Sequence, residues 1–205
     1  MKFEPLPAAF FAADTVVASQ ELLGHFLLRK LDGEWCGGEI VETEAYISDD
    51  PACHAYVRET PRNRSMWGAA GRAYVYRIYG MHFCFNAVCR ETGVAEAALV
   101  RAIEPRFGTG AMQKRRAMTG KNLTNGPAKF CQALGIDLAL DGADLASPDS
   151  PLLLARNPER DKFVAARAPL VTTTRIGITR AADWPLRWYL GGSDYVSRRA
   201  PKTAV

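Results

Sequence analysis

The sequence predicts an α+β fold in which a single domain, residues 1–205, is built on a mostly antiparallel sheet. A chain of 205 residues has the length of one domain. Two segments have the pattern of β-hairpins, which are antiparallel by construction. The predicted strands do not alternate regularly with helices, as they would in a parallel sheet.

Capping and turn residues predict the first helix and the first hairpin. Asp14 is a suitable N-cap for a helix over 15–23, and Gly24 is a suitable end. The runs HFLLRKL and WCGGEIVETEAY flank an Asp-Gly pair at 32–33, which is typical of a tight hairpin turn.

A long loop over 47–71, rich in Pro, Arg, Asn and Gly, precedes the second hairpin and has the length of loops that carry function. In that hairpin RAYVYRI and HFCFNAV flank YGM. The strand EAALVRAIEP is expected to end at Pro105. The remaining predicted elements are helices over 108–118 and 126–134 (the second with Asn125 as N-cap, Pro127 in the first turn and Gly135 as C-cap), strands over 170–179 and 186–190, and a frayed tail over 195–205.

Composition is that of an ordinary globular protein, with 48% hydrophobic and 23% charged residues. Glu4, Pro5 and Pro7 interrupt any apolar stretch of a signal peptide, and no run approaches the ~18 apolar residues of a membrane span. The five cysteines lack the spacing of zinc ligands and are odd in number. We therefore expect reduced thiols in a cytoplasmic protein.

The charges are segregated along the chain although the net charge is only +4. Residues 58–77 contain five arginines and one acid, and residues 106–129 contain six basic residues and no acid. Acids concentrate at 32–50 and 137–162. This pattern favours a basic face for phosphates, and solvated surface charge is the alternative.

The segment IVETEAY at 40–46 places carboxylates in a predicted strand. Side chains alternate in a strand, so Ile40, Glu42, Glu44 and Tyr46 are expected on one face. That face is either solvated or part of a cleft. In a cleft the carboxylates indicate a general base, or a metal site together with Asp49, Asp50 and His54.

Other residues are unusual for their positions. Tyr79 lies in a hairpin turn, so it either folds back onto the core or forms an exposed wedge that inserts between bases. Asn86 and Arg101 lie within apolar strands and require buried partners, which for Arg101 are expected to be a Glu such as Glu44 or Glu104.

Five motifs together resemble the alkyladenine (3-methyladenine) DNA glycosylase family. They are IVETEAY, CHAYVRETPRNRSMW, YVYRIYGMHFCFN, LVRAIEP and NGPAKFCQALGI. Their order and spacing are those of the family, and the similarity extends from about residue 18 to the segment PLRWYLGGSDYVS. The resemblance implies one α+β domain on a curved antiparallel sheet, with flanking helices and a protruding hairpin.

The resemblance also implies the residues of the site. Glu44 matches the general base that activates water, Arg101 matches an arginine that holds this water, and Ile176 matches a position whose backbone carbonyl contacts it. Tyr46, His54, Tyr76 and Asn86 match the pocket for the extruded base, where Asn86 excludes normal guanine. Tyr79 matches the intercalating wedge. Apart from the resemblance, the basic segments predict Arg62, Arg64 and Lys129, which lies in the first turn of the helix over 126–134, as contacts to the DNA backbone.

The activity implied is that of a monofunctional glycosylase without cofactor or metal. It would flip alkylated or deaminated purines (3-methyladenine, 7-methylguanine, hypoxanthine, ethenoadenine) out of double-stranded DNA and leave an abasic site. The resemblance further implies a monomeric bacterial protein in the cytoplasm, associated with the nucleoid. The alternatives are a non-catalytic binder of damaged DNA and a metal-dependent nuclease that uses Glu42, Glu44, Asp50 and His54.

Overall fold

An eight-stranded antiparallel sheet organises the chain over residues 2–201, the part that this computed structural model describes. The strands are β1 (Phe26–Leu31), β2 (Glu34–Tyr46), β3 (Ala73–Ile78), β4 (His82–Cys89), β5 (Glu96–Phe107), β6 (Leu152–Ala155), β7 (Leu170–Thr173) and β8 (Arg187–Leu190). The main strand order is β3-β4-β5-β2-β1-β6, and the strand β8 pairs with both β2 and β7. The sheet is curved into a half-barrel, so the predicted α+β fold on a curved antiparallel sheet is confirmed.

Short helices flank the sheet. Within the described residues none is long and apolar enough to cross a membrane. Asp14 caps its helix as predicted, because its side chain accepts the N–H groups of Val16 and Val17. The helices are α1 (Ala8–Ala12), α2 (Thr15–Glu21), α3 (Thr109–Arg116), α4 (Pro127–Leu134) and α5 (Arg160–Ala166), with short 3₁₀ turns at Arg64–Trp67, Gly120–Leu123 and Leu138–Leu140.

The hairpin of β1 and β2 turns at Asp32 and Gly33, as the Asp-Gly pair predicts. Both residues have positive φ, 50° and 85°, the conformation that a two-residue hairpin turn requires. Leu31 pairs with Glu34, so the turn contains only these two residues.

Strand β2 is not regular through the IVETEAY segment. Its register against β5 shifts between Ile40 and Glu42 and again between Glu42 and Thr43. A bulge of this kind interrupts the alternation of side chains. Ile40 therefore packs into the main hydrophobic core together with Val41, and the prediction that Ile40 shares the face of the two glutamates is wrong.

Pro105 does not end β5, contrary to the sequence-based prediction. The strand continues to Phe107, and Pro105 pairs with Gly38 next to a register shift in β2. A proline, which lacks an N–H donor, is tolerated at such a bulge. Gly38 allows the close approach, since a Cβ there would lie 1.9 Å from the carbonyl oxygen of Glu104.

Two other predicted boundaries are wrong. The strand predicted over 170–179 ends at Thr173, and residues 174–179 are irregular. Helix α4 has Gly126 as its N-cap residue, because the Asn125 side chain accepts a hydrogen bond from Lys129 Nζ at 2.7 Å instead of capping. Gly135, with φ 59°, ends α4 as predicted.

The segment 195–200 is held against the sheet, so the expectation of a frayed tail is wrong there. Val196 is buried, and the backbone N–H of Ser197 donates to Glu42 at 2.6 Å. The backbone N–H of Ala200 donates to the hydroxyl of Tyr189 at 3.0 Å. Buried backbone polar groups need such partners, which a frayed segment would take from water. Residues 202–205 of the predicted tail lie outside the described residues.

Candidate active site

A cavity of about 610 Å³ opens beside strands β2 to β5 and the irregular segment after β7. It has the size of a small-molecule site. The strands position most of its walls, because alternate residues of β3 and β4 face it. The predicted site residues that line it are Tyr46, His54, Arg62, Tyr76, Tyr79, Asn86, Arg101 and Ile176.

Glu44 lies directly behind this lining and is fully buried. Its Oε1 accepts the backbone N–H of Ile176 at 2.8 Å and lies 3.1 Å from Arg101 Nη1. Its Oε2 accepts the hydroxyl of Tyr46 at 2.9 Å. The alternative of a solvated carboxylate is therefore wrong, and Glu44 is bonded to three residues of the cavity wall.

Arg101 bridges the two glutamates of the IVETEAY segment. Its Nε donates to Glu42 Oε1 at 3.1 Å, and the expected pairing with Glu44 is present. Burial lowers the pKa of Arg101, but the Glu44 and Glu42 carboxylates outweigh it, so the net shift is upward. The guanidinium is therefore a permanent positive charge between two carboxylates.

Glu42 is an anchor for arginines rather than a second open carboxylate. Arg187 Nε donates to Glu42 Oε1 at 2.7 Å, in addition to the contact from Arg101. Ser197 adds its backbone N–H at 2.6 Å and its hydroxyl at 2.8 Å. The structure thus shows Glu42 paired with two arginines.

Two residues of the metal-site hypothesis, Asp50 and His54, have other partners. Asp50 forms an ion pair with Arg175, and Nδ1 of His54 lies 2.8 Å from the hydroxyl of Tyr74. Among residues 2–201 no group of three or more His, Cys, Asp and Glu side chains is arranged to hold a metal ion.

Aromatic rings form one side of the cavity. Tyr76 stacks on Tyr74 with ring centroids 5.2 Å apart, and His54 meets Tyr76 edge-on at 4.5 Å. Burial raises the pKa of Tyr76, and burial followed by the Glu44 carboxylate raises that of Tyr46, so both phenols are neutral hydrogen-bond donors. Alternation in β3 was the signal that could have added Tyr74 to the predicted wall.

His54 is a neutral imidazole at neutral pH. Burial, and then the charge of Arg62, lowers its pKa below the ordinary value of 6.5. A neutral ring keeps one nitrogen as donor and the other as acceptor. His54 can therefore orient a polar ligand without adding charge to the cavity.

Asn86 has the buried partner that its place in an apolar strand requires. Its side-chain amide donates to the carbonyl oxygen of Tyr74 at 3.0 Å. This bond fixes the amide at the cavity wall, where its position is suited to discriminating between ligands.

The tip of the β3–β4 hairpin is exposed and apolar. Tyr79 is 87% exposed and Met81 is 73% exposed, so the alternative in which Tyr79 folds back onto the core is wrong. Tyr79 has φ 47° and Gly80 has φ 75°, a turn conformation that carries the ring outward at the rim of the cavity.

The three predicted contacts to the DNA backbone occupy different environments. Arg62 lies at the cavity, with its guanidinium carbon 5.5 Å from the ring centroid of Tyr76. Arg64 forms an exposed ion pair with Glu59 at 3.2 Å. Lys129 is bonded to Asn125, and burial followed by the charge of Arg116 lowers its pKa. Only Arg62 belongs to the cavity lining.

Comparison with known proteins identifies the family. The sequence model of the family described as methylpurine-DNA glycosylase (MPG) matches residues 9–194. A protein of Methanoculleus marisnigri is 50% identical over 95% of this chain and 99% of its own length. Proteins of Francisella tularensis and Carboxydothermus hydrogenoformans are each 44% identical, over 93% and 95% of this chain and 97% and 99% of their own lengths.

All three relatives carry the name 3-methyladenine DNA glycosylase as a provisional assignment. A match of this extent covers every residue that contacts Glu44 in the cavity wall. The chain therefore belongs to the methylpurine-DNA glycosylase family, and the prediction of a DNA glycosylase of DNA repair is confirmed at the level of the family.

Proposed function

We propose that this protein hydrolyses the N-glycosidic bond of alkylated or deaminated purines that are flipped out of duplex DNA. Glu44 takes the proton of the attacking water, and the products are an abasic site and the free base. The observation that carries the proposal is the buried Glu44 carboxylate, bonded to three residues that line a cavity walled by aromatic rings.

The carboxylate of Glu44 can accept one more hydrogen bond than the described residues donate to it. Oε1 already has two N–H neighbours, from Ile176 and Arg101, whereas Oε2 has the Tyr46 hydroxyl alone among the described residues. A carboxylate oxygen accepts two hydrogen bonds. Glu44 is fully buried in this structure, so Oε2 would accept a bond from the attacking water, and remove its proton, once the cavity wall admits that water to it.

The charge of Glu44 also suits the reaction. As the glycosidic bond breaks, the sugar develops the positive charge of an oxocarbenium ion, which a nearby carboxylate stabilises. Arg101 holds the carboxylate in place through Oε1. The expected contact of the Ile176 carbonyl with the water stays a prediction, while its N–H bonds Glu44 in this structure.

The aromatic walls suit a flipped purine. A base between Tyr46, His54 and Tyr76 would be held by stacking, and a cationic purine also by attraction to the ring faces. Asn86 at the wall would exclude the exocyclic amino group of guanine. Tyr79 would occupy the gap that the base leaves in the duplex.

The chemistry requires no covalent intermediate. A glycosylase with lyase activity needs an amine that forms a Schiff base with the sugar. No lysine belongs to the cavity lining in the described part of the chain. The protein would therefore be monofunctional, and strand cleavage would need a separate activity.

The Glu44→Gln variant tests this function. On duplexes with one 3-methyladenine or hypoxanthine, we expect base release to fall by about 10²- to 10⁴-fold, because a general base is lost. Binding of abasic-site DNA should be retained. Glu91→Gln, at an exposed position, is the control and should release base at the normal rate.

The assay separates the alternatives when it is run with and without EDTA. Base release is read by alkaline cleavage at abasic sites, and strand cleavage is read without alkali. Normal release by Glu44→Gln would overturn the role of this residue. Absence of release by the unmodified protein would favour the non-catalytic binder, and strand cleavage that disappears in EDTA would favour the nuclease.

A further inference from the structure

Arg175 and Asp50 form a fully buried ion pair next to Glu44, and the proposed chemistry makes no direct use of it. Both side chains are 0% exposed. The pair is bidentate: Arg175 Nη1 contacts Asp50 Oδ2, and Nη2 donates to Oδ1 at 2.9 Å. Arg175 Nη1 also donates to the backbone carbonyl of Ala45 at 3.0 Å.

The pair connects two parts of the site that are distant in sequence. Asp50 follows strand β2, and Arg175 lies in the irregular segment after β7, 125 residues further along the chain. This segment has no ladder of backbone hydrogen bonds at 174–179 to fix its position. The contacts of Arg175 with Asp50 and Ala45 therefore hold it against β2.

Arg175 is next to two of the three donors to Glu44. The following residue, Ile176, gives its backbone N–H to Glu44 at 2.8 Å. The guanidinium carbon lies 4.6 Å from the ring centroid of Tyr46, whose hydroxyl gives the other bond. The third donor, Arg101, comes from strand β5 and is fixed by Glu42.

Stability alone is a weak reason for such a pair. Desolvation of two charges cancels much of their attraction, and well-packed apolar residues of similar volume are often as stabilising. The planar fork of an arginine, however, sets direction as well as distance, because two parallel N–H groups meet two carboxylate oxygens.

We propose that Arg175, with Asp50 as its counter-ion, is a positioning residue for the glycosylase reaction. It fixes the Tyr46 ring and the Ile176 amide so that both donors stay on the Glu44 carboxylate and leave the water site free. This inference rests on the proposed function of Glu44. The position of a reacting group matters, since a misplacement of about 1 Å can lower the reaction rate about 10²-fold.

The test replaces the pair without leaving a buried charge. The double variant Asp50→Leu/Arg175→Met keeps an apolar pair of similar volume. We expect its single-turnover rate of base release to fall by about 10²-fold, while its affinity for abasic-site DNA stays the same. The control is Glu104→Leu/Arg167→Met, which removes another bidentate pair (2.8 and 2.5 Å), partly exposed and away from the cavity, and should leave the rate unchanged.

A coupling measurement separates positioning from a general loss of structure. Tyr46→Phe removes only the hydroxyl bond to Glu44. If Arg175 acts through this bond, combining Tyr46→Phe with the double variant lowers the rate by less than the product of the two separate losses. A full product, or an unchanged rate in the double variant, would overturn the inference.

Arg175→Lys covers the case in which the double variant does not fold. Lysine keeps the charge but cannot span both oxygens of Asp50 and the Ala45 carbonyl in the same geometry. We expect a reduced rate with unchanged abasic-site affinity, and a normal rate would contradict the inference. Failure of the proposed function is distinguishable, because it appears as base release by Glu44→Gln.

Discussion

His25 shows at the residue scale how burial couples one side chain to the stability of the whole chain. Its Nδ1 accepts the backbone N–H of Asn157 at 3.2 Å, so this nitrogen carries no proton in the folded protein. Burial, followed by the charges of Arg160 and Arg156, lowers the pKa of His25 to about 4. In the unfolded chain the ordinary value of 6.5 applies.

The free energy of unfolding should therefore decrease as the pH falls from 6.5 to 4. In this window the unfolded chain binds a proton that the folded chain does not, so acid favours unfolding. The shift corresponds to a loss of up to about 3 kcal/mol. Urea unfolding of the wild type and His25→Gln at several pH values measures it, and the variant should lose this part of the pH dependence.

The exposed His82 provides the control for that experiment. The His82→Gln variant should keep the wild-type decrease between pH 6.5 and 4. An identical pH dependence in His25→Gln and the wild type would contradict the role of His25.

Single residues also mark the limit of what the sequence predicts about the site. Glu42, Glu44 and Tyr46 were placed together from strand alternation, which is a local property. Arg175 and Asp50 were not paired, because they lie 125 residues apart and meet only through the tertiary fold. The sequence predicts a frayed tail at Ser197, since nothing near it in sequence indicates its partner Glu42.

At the scale of elements, the β3–β4 hairpin combines a rigid base with an exposed tip. Strand pairing runs from Ala73 and Ala87 to Ile78 and His82, so only Tyr79, Gly80 and Met81 extend beyond the ladder. One wall of the cavity comes from the paired part of the same hairpin. The proposed wedge, Tyr79, therefore keeps a fixed distance from the cavity wall on the same hairpin.

Tyr79→Ala should slow base release from duplex DNA by about 10- to 100-fold. The expected loss is that of one aromatic stack, about 1–3 kcal/mol. Tyr79→Phe keeps the ring and the same backbone conformation, so it should act at nearly the wild-type rate. Single-turnover assays on duplex and single-stranded substrates measure the effect, which should be smaller on the single strand because no partner base is displaced.

An equal rate for Tyr79→Ala and wild type on the duplex would contradict the wedge. An equal loss for Tyr79→Ala and Tyr79→Phe would show that the hydroxyl matters rather than the ring.

The elements that the sequence predicted correctly have strong local signals. Asp32-Gly33 and Tyr79-Gly80 both provide the positive φ values of tight turns, and both hairpins are present. The short elements β6, α1 and α5 were not predicted, because segments of four to seven residues are stabilised by packing rather than by propensity. The bulges in β2 depend on its pairing with β5, which has no local signal.

At the scale of the whole molecule, the C-terminal segment is tied to the centre of the sheet. The hydroxyl of Ser197 donates a hydrogen bond to Glu42, and the Arg187 side chain donates one to the backbone carbonyl of Arg198. Arg199 donates to the carbonyl oxygens of Gly191 and Ser193. The segment 195–200 thus contributes to the environment of Arg101 through Glu42.

Deletion of residues 195–205 should lower the Tm by roughly 5–10 °C, which corresponds to a loss of about 2–3 kcal/mol for a domain of this size. Ser197→Ala should fall between the deletion and the wild type, because it removes the hydroxyl bond and keeps the backbone bond to Glu42. Thermal unfolding followed by circular dichroism measures the series. An unchanged Tm in the deletion variant would contradict the anchoring role.

The bond between Glu42 and Ser197 has a consequence for protein synthesis. The two residues are 155 positions apart, so Glu42 leaves the ribosome long before Ser197 is synthesised. Until then Glu42 has only its arginines, and the carboxylate network behind the cavity is incomplete. A nascent chain can therefore complete this network only after Ser197 has been synthesised.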